Sequence, residues 1–173
     1  MLKQVADYIC RWTFRIWGFG EGIALRGLLA AYRATDNSEY YQFVRDLLKS
    51  YSVGDVARSN EEHIAPGTEL LLLFKESGDS ELLDAAKKLA ALNGSFPKNK
   101  FGARMHRPDM SGWGKQIWVD CIDVDAPFLI RLGNLTGGTK YIKQGLSEIL
   151  GYTRALQIEG ACDAAGLFWH GYD

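Results

Sequence analysis

Apolar side chains recur along this chain at helical spacing, in stripes that come in pairs. Leu2, Val5, Ile9, Trp12 and Ile16 mark a lead helix, Leu25, Leu28, Leu29 and Tyr32 a second, and Phe43, Leu47, Leu48 and Tyr51 a third. Leu70, Leu71, Leu72, Leu73 and Phe74 form an unbroken apolar block, which suits a helix buried on most sides. Leu82, Ala86, Leu89 and Asn93 follow one face that stays apolar until its last turn. Phe128, Leu132 and Leu135, then Ile142, Leu146, Ile149, Leu150 and Thr153, complete the series. No two-residue alternation runs long enough to predict a sheet. The pattern predicts an all-α protein.

Three short segments between these stripes follow one template: Thr35-Asp36-Asn37-Ser38-Glu39-Tyr40, Ser77-Gly78-Asp79-Ser80-Glu81-Leu82 and Thr136-Gly137-Gly138-Thr139-Lys140-Tyr141. Gly and Asp tolerate the backbone angles that end a helix, and the Ser or Thr that follows can cap the next one. Each copy is therefore expected to be the tight turn of a helical hairpin. The hairpins are separated by links over 52–66 and 94–117 and followed by a tail over 158–173, all rich in turn formers. Links of this length inside a folded domain are usually functional or disordered. All three histidines lie in or beside them, as do Trp113 and Trp169, a concentration that disorder does not produce.

The 173 residues, 47% of them hydrophobic and 24% charged, fit one soluble domain spanning 1–173. A net charge of −1 gives no electrostatic basis for a nucleic-acid or anionic-membrane partner. Arg11, Arg15, Glu21 and Arg26 interrupt the first thirty residues, leaving room for neither a membrane helix nor a secretory signal. Cys10, Cys121 and Cys162 are odd in number and widely spaced, against a disulfide framework or zinc site and for a reducing, cytoplasmic setting.

The densest chemistry lies in Trp118-Val119-Asp120-Cys121-Ile122-Asp123-Val124-Asp125, where the helix after the longest link begins. Acidic side chains at a helix start complement the macrodipole, which would explain one or two of them. Their interleaving with Trp, Val, Cys and Ile points to a largely buried turn. A carboxyl group desolvated beside an indole holds its proton more tightly, as a general acid near neutral pH must. Structural and catalytic roles are equally compatible with the residues alone. Asn60-Glu61-Glu62-His63-Ile64-Ala65-Pro66-Gly67 is either a capping segment or the mouth of a cavity, and its three adjacent ligand-type side chains do not have metal-site spacing. His106 and Arg107, Trp113, and the tail with Trp169 and His170 bring flat rings beside charged groups, a combination suited to a sugar. No serine nucleophile elbow, phosphate loop or dinucleotide fingerprint is present.

Taken in order, Met105-His106-Arg107-Pro108, Gln116-Ile117-Trp118-Val119-Asp120, Ala126-Pro127-Phe128-Leu129, Leu132-Gly133 and Gly166-Leu167-Phe168-Trp169-His170-Gly171-Tyr172-Asp173 resemble the unsaturated uronyl hydrolases of glycoside hydrolase families 88 and 105, including the unsaturated rhamnogalacturonyl hydrolases. The resemblance runs along essentially the whole chain. It implies an (α/α)6 toroid whose inner loops frame the active site. The substrate it implies is a Δ4,5-unsaturated uronyl oligosaccharide from pectin or rhamnogalacturonan breakdown, hydrated at its enol ether with no metal or other cofactor. Asp120 matches the family's acid/base aspartate. Glu62 stands where a second aspartate is usual, one methylene longer. His170 matches the histidine near the uronate, His106 and Arg107 match a stretch found in a subset of relatives, and Trp113, Trp118 and Trp169 are candidate stacking surfaces.

Three hairpins and a lead helix make about half of such a ring. The expectation is therefore an incomplete toroid, the N-terminal half of the barrel, whose apolar edges favour self-association or a complementing half. A truncated half-barrel that binds carbohydrate or a complementing polypeptide without turning anything over is the alternative.

Overall fold

Each copy of the repeated turn is closed by the same local bonds. In this computed structural model the leading hydroxyl of every copy folds back on its own helix: Thr35 Oγ1 donates to Ala31 O at 2.7 Å, Ser77 Oγ to Leu73 O at 2.9 Å and Thr136 Oγ1 to Leu132 O at 2.7 Å. The next residue takes the left-handed conformation, with φ of 54° at Asp36, 71° at Gly78 and 69° at Gly137. In the first two copies the cap of the following helix is then Asn or Asp, not the Ser that the sequence led us to expect; in the third it is Gly138, which makes no side-chain cap bond. Asn37 Oδ1 accepts from Glu39 N and Asp79 Oδ1 from Glu81 N, each at 3.1 Å, and the serines form the first helical residue. An Asx side chain one position earlier reaches the second free N–H of the helix, which is the geometry an N-cap requires.

The structure describes residues 1–14, 18–54, 65–106, 108, 111–112, 115–160 and 163–172. Among them are α1 (Leu2–Cys10), α2 (Phe19–Thr35), α3 (Ser38–Val53), α4 (Gly67–Ser77), α5 (Ser80–Ser95), β1 (Ile117–Trp118), α6 (Cys121–Thr136), α7 (Thr139–Leu156) and β2 (Gly171–Tyr172). The all-α expectation holds, with one addition: a two-stranded antiparallel ribbon, in which Ile117 faces Tyr172 and Trp118 faces Gly171. No described helix is long and apolar enough to cross a membrane.

Two compact units divide the chain, with α5 running from one into the other between Leu89 and Ala90. In the first, α2 packs against α1, α3 and α4. Leu25, Leu28 and Leu29 of α2, Val44 and Leu48 of α3, and Leu70 and Leu73 of α4 are fully buried. Each such side chain contributes about 1.5–3 kcal/mol. Glu69, also buried, pairs with Arg26 Nε at 2.9 Å. On the lead helix the predicted stripe faces outward: Leu2, Val5 and Trp12 are exposed, and α1 stops at Cys10 before Trp12. Ile16 lies outside the described residues.

The second unit is dominated by the α6–α7 hairpin. Its buried face on α7 differs from the apolar stripe read in the sequence. Gly145, Glu148, Gly151, Tyr152 and Leu156 are buried, whereas Leu146 and Leu150 are exposed. The two glycines explain the rotation. A Cβ at Gly145 would stand 2.8 Å from Ala126 O of α6, and one at Gly151 would stand 2.5 Å from Ala103 N. The backbones come close only along the face that lacks side chains.

Candidate active site

Asp120 is the N-cap of α6, placed there by β1 immediately before it. The ribbon fixes what surrounds it. Val119 N donates to His170 O at 2.9 Å, and the indole of Trp118 meets the imidazole of His170 edge-on with centroids 5.0 Å apart. Thus a motif from the link and a motif from the tail, separated by about fifty residues of chain, are joined side by side. Asp120 is half-buried, and its Oδ1 is shielded from solvent with no hydrogen-bond partner among the described residues. The neighbouring carboxylates have separate fates: Asp123 points to solvent, and Asp125 is completely buried.

His106 bonds the residue just before the ribbon through its backbone, donating from N to Gln116 O at 2.7 Å, and its side chain is buried. Trp169 is largely exposed, and its backbone N–H donates to Leu156 O at 2.8 Å. Of the residues singled out in the sequence, Trp118 and His170 are brought into direct contact, Asp120 follows two residues after Trp118, and His106 is tied to Gln116 just before their strand. Glu62, Arg107 and Trp113 lie outside the described residues.

Motif reading missed the residues that hold this arrangement in place. Arg104 is clamped by Glu148 of α7: Nε lies 2.8 Å from Glu148 Oε1, and the Arg104 backbone N–H donates to Oε2 at 3.1 Å. The guanidinium also donates from Nη1 to Phe96 O at 2.6 Å and Gly94 O at 3.1 Å. Tyr152 Oη donates to Arg104 O at 3.0 Å. Burial, then Cys121, Asp125 and Glu148, pushes the Tyr152 hydroxyl well up, so it remains a proton donor. Ala103, Ile117, Cys121, Tyr152 and Leu156 form one buried apolar cluster, against which Trp118, Val119 and Ile122 pack. The clamp on Arg104 and the strand leading to Asp120 therefore share a single core. A polar residue on an otherwise apolar helix face, as Glu148 is, was the available signal.

Burial raises the Glu148 carboxyl above its ordinary range. Asp125 adds to this, and the opposing bonds and charges of Arg104 and Lys98 do not outweigh it. The folded chain thus holds this proton more tightly than the unfolded chain. The resulting stabilisation is complete below the unfolded carboxyl's value of about 4.3 and is lost as pH rises through the higher folded value. Glu148→Gln cannot titrate. Its stability relative to wild type is expected to climb across that window in urea unfolding series taken from pH 4 to pH 8; a relative stability that stays constant or falls would contradict the direction.

Comparison with known proteins bears on the family and the fold. The model of Glycosyl Hydrolase Family 88 matches residues 4–173. The chain belongs to that family. The unsaturated rhamnogalacturonyl hydrolase YesR of Bacillus subtilis is 25% identical over 178 residues, covering 99% of this chain and 51% of the relative. Among solved structures, a family 105 glycoside hydrolase from C. acetobutylicum superposes with a TM-score of 0.76 at 22% identity, covering 99% of this chain and 49% of that one. A possible family 105 member from Salmonella enterica serovar Paratyphi A gives a TM-score of 0.77 at 16% identity, covering 99% and 51%. At these identities the likeness carries the fold alone. This family 88 chain spans about half the length of the relatives it matches.

Proposed function

We propose that this family 88 chain acts on Δ4,5-unsaturated uronyl oligosaccharides by acid-catalysed hydration of the enol ether, with Asp120 as the acid and base. The observation that carries the proposal is the Asp120 Oδ1, buried without a hydrogen-bond partner among the described residues beside the Trp118–His170 pair. A carboxyl oxygen left unsatisfied at a folded site is disfavoured unless something else meets it, and a substrate is one such partner. In the reaction the Asp120 carboxyl gives its proton to C4, and the ring oxygen stabilises the positive charge that develops at C5. The carboxylate then takes a proton from the water that adds at C5, and the hemiketal opens with release of the remaining saccharide. His170 would orient the uronate, Trp118 and Trp169 would offer stacking faces, and Glu62, Arg107 and Trp113 complete the proposed set. Substrates from pectin or rhamnogalacturonan breakdown fit this chemistry.

Lyase-generated unsaturated oligosaccharides supply the test. The ultraviolet absorbance of the conjugated enol ether is expected to fall when the protein is added, and unchanged absorbance over a long incubation at high protein concentration would refute turnover. A second reading is favoured by one observation, the half-length match to the relatives. In it the chain binds carbohydrate or a complementing polypeptide without catalysis. Calorimetry showing binding of the same oligosaccharides with no loss of absorbance would select it.

A further inference from the structure

We infer that the second unit carries an additional subsite, built from Lys100, Phe101 and Tyr172, which takes the carboxylate of a second acidic sugar. The inference rests on the proposed action on unsaturated uronyl oligosaccharides and extends it to the unit that follows the unsaturated one. The Lys100 ammonium lies 5.0 Å from the Phe101 ring centroid and 5.7 Å from that of Tyr172. The two rings meet edge-on, 5.6 Å apart at 84°. Both distances from the ammonium are within cation–π range. Neither ring neutralises its charge, and Lys100 pairs with no carboxylate among the described residues.

The turn that presents Lys100 and Phe101 is fixed. Asn99 Oδ1 accepts from Phe101 N at 3.0 Å and Ala103 N at 3.1 Å, Gly102 N donates to Asn99 O at 3.0 Å, and Asn99 N donates to Ala103 O at 2.8 Å. Such a network fixes the backbone that carries Lys100 and Phe101, which lowers the entropy the turn loses on binding. Tyr172 is on the ribbon, two residues beyond His170. Two strand residues advance about 7 Å, comparable with one pyranose unit. A saccharide whose unsaturated ring sits by His170 and Trp118 would carry its next ring toward Tyr172. Three ammonium donors over two aromatic faces recognise a carboxylate on a sugar; a neutral deoxyhexose offers the rings a face but gives the ammonium only uncharged hydroxyl acceptors.

The test is titration calorimetry with the full chain carrying Asp120→Asn to prevent turnover. Two ligands are compared: an unsaturated uronate linked to a second uronate, and the same uronate linked to rhamnose. At low ionic strength the acidic disaccharide is expected to bind roughly fivefold more tightly, as a partly exposed ion pair allows, and the ratio should narrow as salt is added. Lys100→Met should bring the ratio to about one, and Lys100→Arg should restore it. Equal affinities in the parent, or a ratio that Lys100→Met leaves unchanged, would overturn the subsite alone. Binding of neither disaccharide would overturn the subsite together with the functional reading beneath it.

Discussion

Asp120→Asn is expected to lower the rate of enol-ether loss by about 10²–10⁴-fold, the usual contribution of a positioned general acid–base group. Asn has nearly the same shape as Asp but no proton to give to C4 and no carboxylate to receive one from water. The substitution should leave the fold alone for two reasons. Asn caps a helix as well as Asp does, and the Asp120 side chain makes no capping bond to α6. Stability within about 0.5 kcal/mol of wild type is therefore expected. Asp123→Asn, three residues on and exposed, provides the comparison and should retain full activity. An Asp120→Asn protein of normal stability and normal rate would remove this residue from the chemistry.

Gly151→Ala should act in the opposite way, on the fold first and on the site through it. The added Cβ would stand 2.5 Å from Ala103 N, 2.6 Å from Gly102 C and 2.8 Å from Ala103 Cα. All three are backbone atoms, so no side chain can swing aside. Either α7 or the 102–104 segment must move, loosening the Glu148 bond to Arg104 N and the Tyr152 bond to Arg104 O. Overpacking costs about 1–3 kcal/mol and each weakened hydrogen bond about 0.5–1.5 kcal/mol, which gives a loss of roughly 3 kcal/mol. For a chain of this size that lowers Tm by roughly 6–12 °C. Gly27→Ala is the control of opposite sign: Gly27 is exposed within α2 with nothing within 4 Å of the added methyl, so about 0.5–1 kcal/mol of stabilisation is expected. If the two alanines gave similar melting temperatures, the close approach at Gly151 would not be what shapes this unit.

Helical periodicity was enough to find all three hairpins, because Leu82, Ala86, Leu89 and Asn93 or Leu25, Leu28 and Leu29 are buried in the order their spacing implies. On α7 the same logic selected the wrong face. A periodicity argument counts apolar side chains, and there the buried face is set by two glycines and a glutamate, which such a count scores as neutral or polar. At the site, Trp118, Asp120 and His170 were legible as motifs but the Trp118–His170 contact was not, since a ribbon of two residues per strand leaves no alternation to detect. The Arg104–Glu148 clamp was hidden for a related reason. It joins two elements through one long side chain and one backbone N–H, and its one trace in the sequence is a glutamate that a count of apolar positions passes over.

The ribbon has a consequence for the order of assembly. Each helical hairpin is closed by a few neighbouring residues, so it can form on the ribosome soon after its second helix emerges. Pairing of Trp118 with Gly171 must instead wait until more than fifty further residues have been made, and it bears the loop-closure entropy of that whole span. A nascent chain therefore acquires its helices first and the Trp118–His170 pairing last, and one stalled before Gly171 would be well-helical yet without its ribbon.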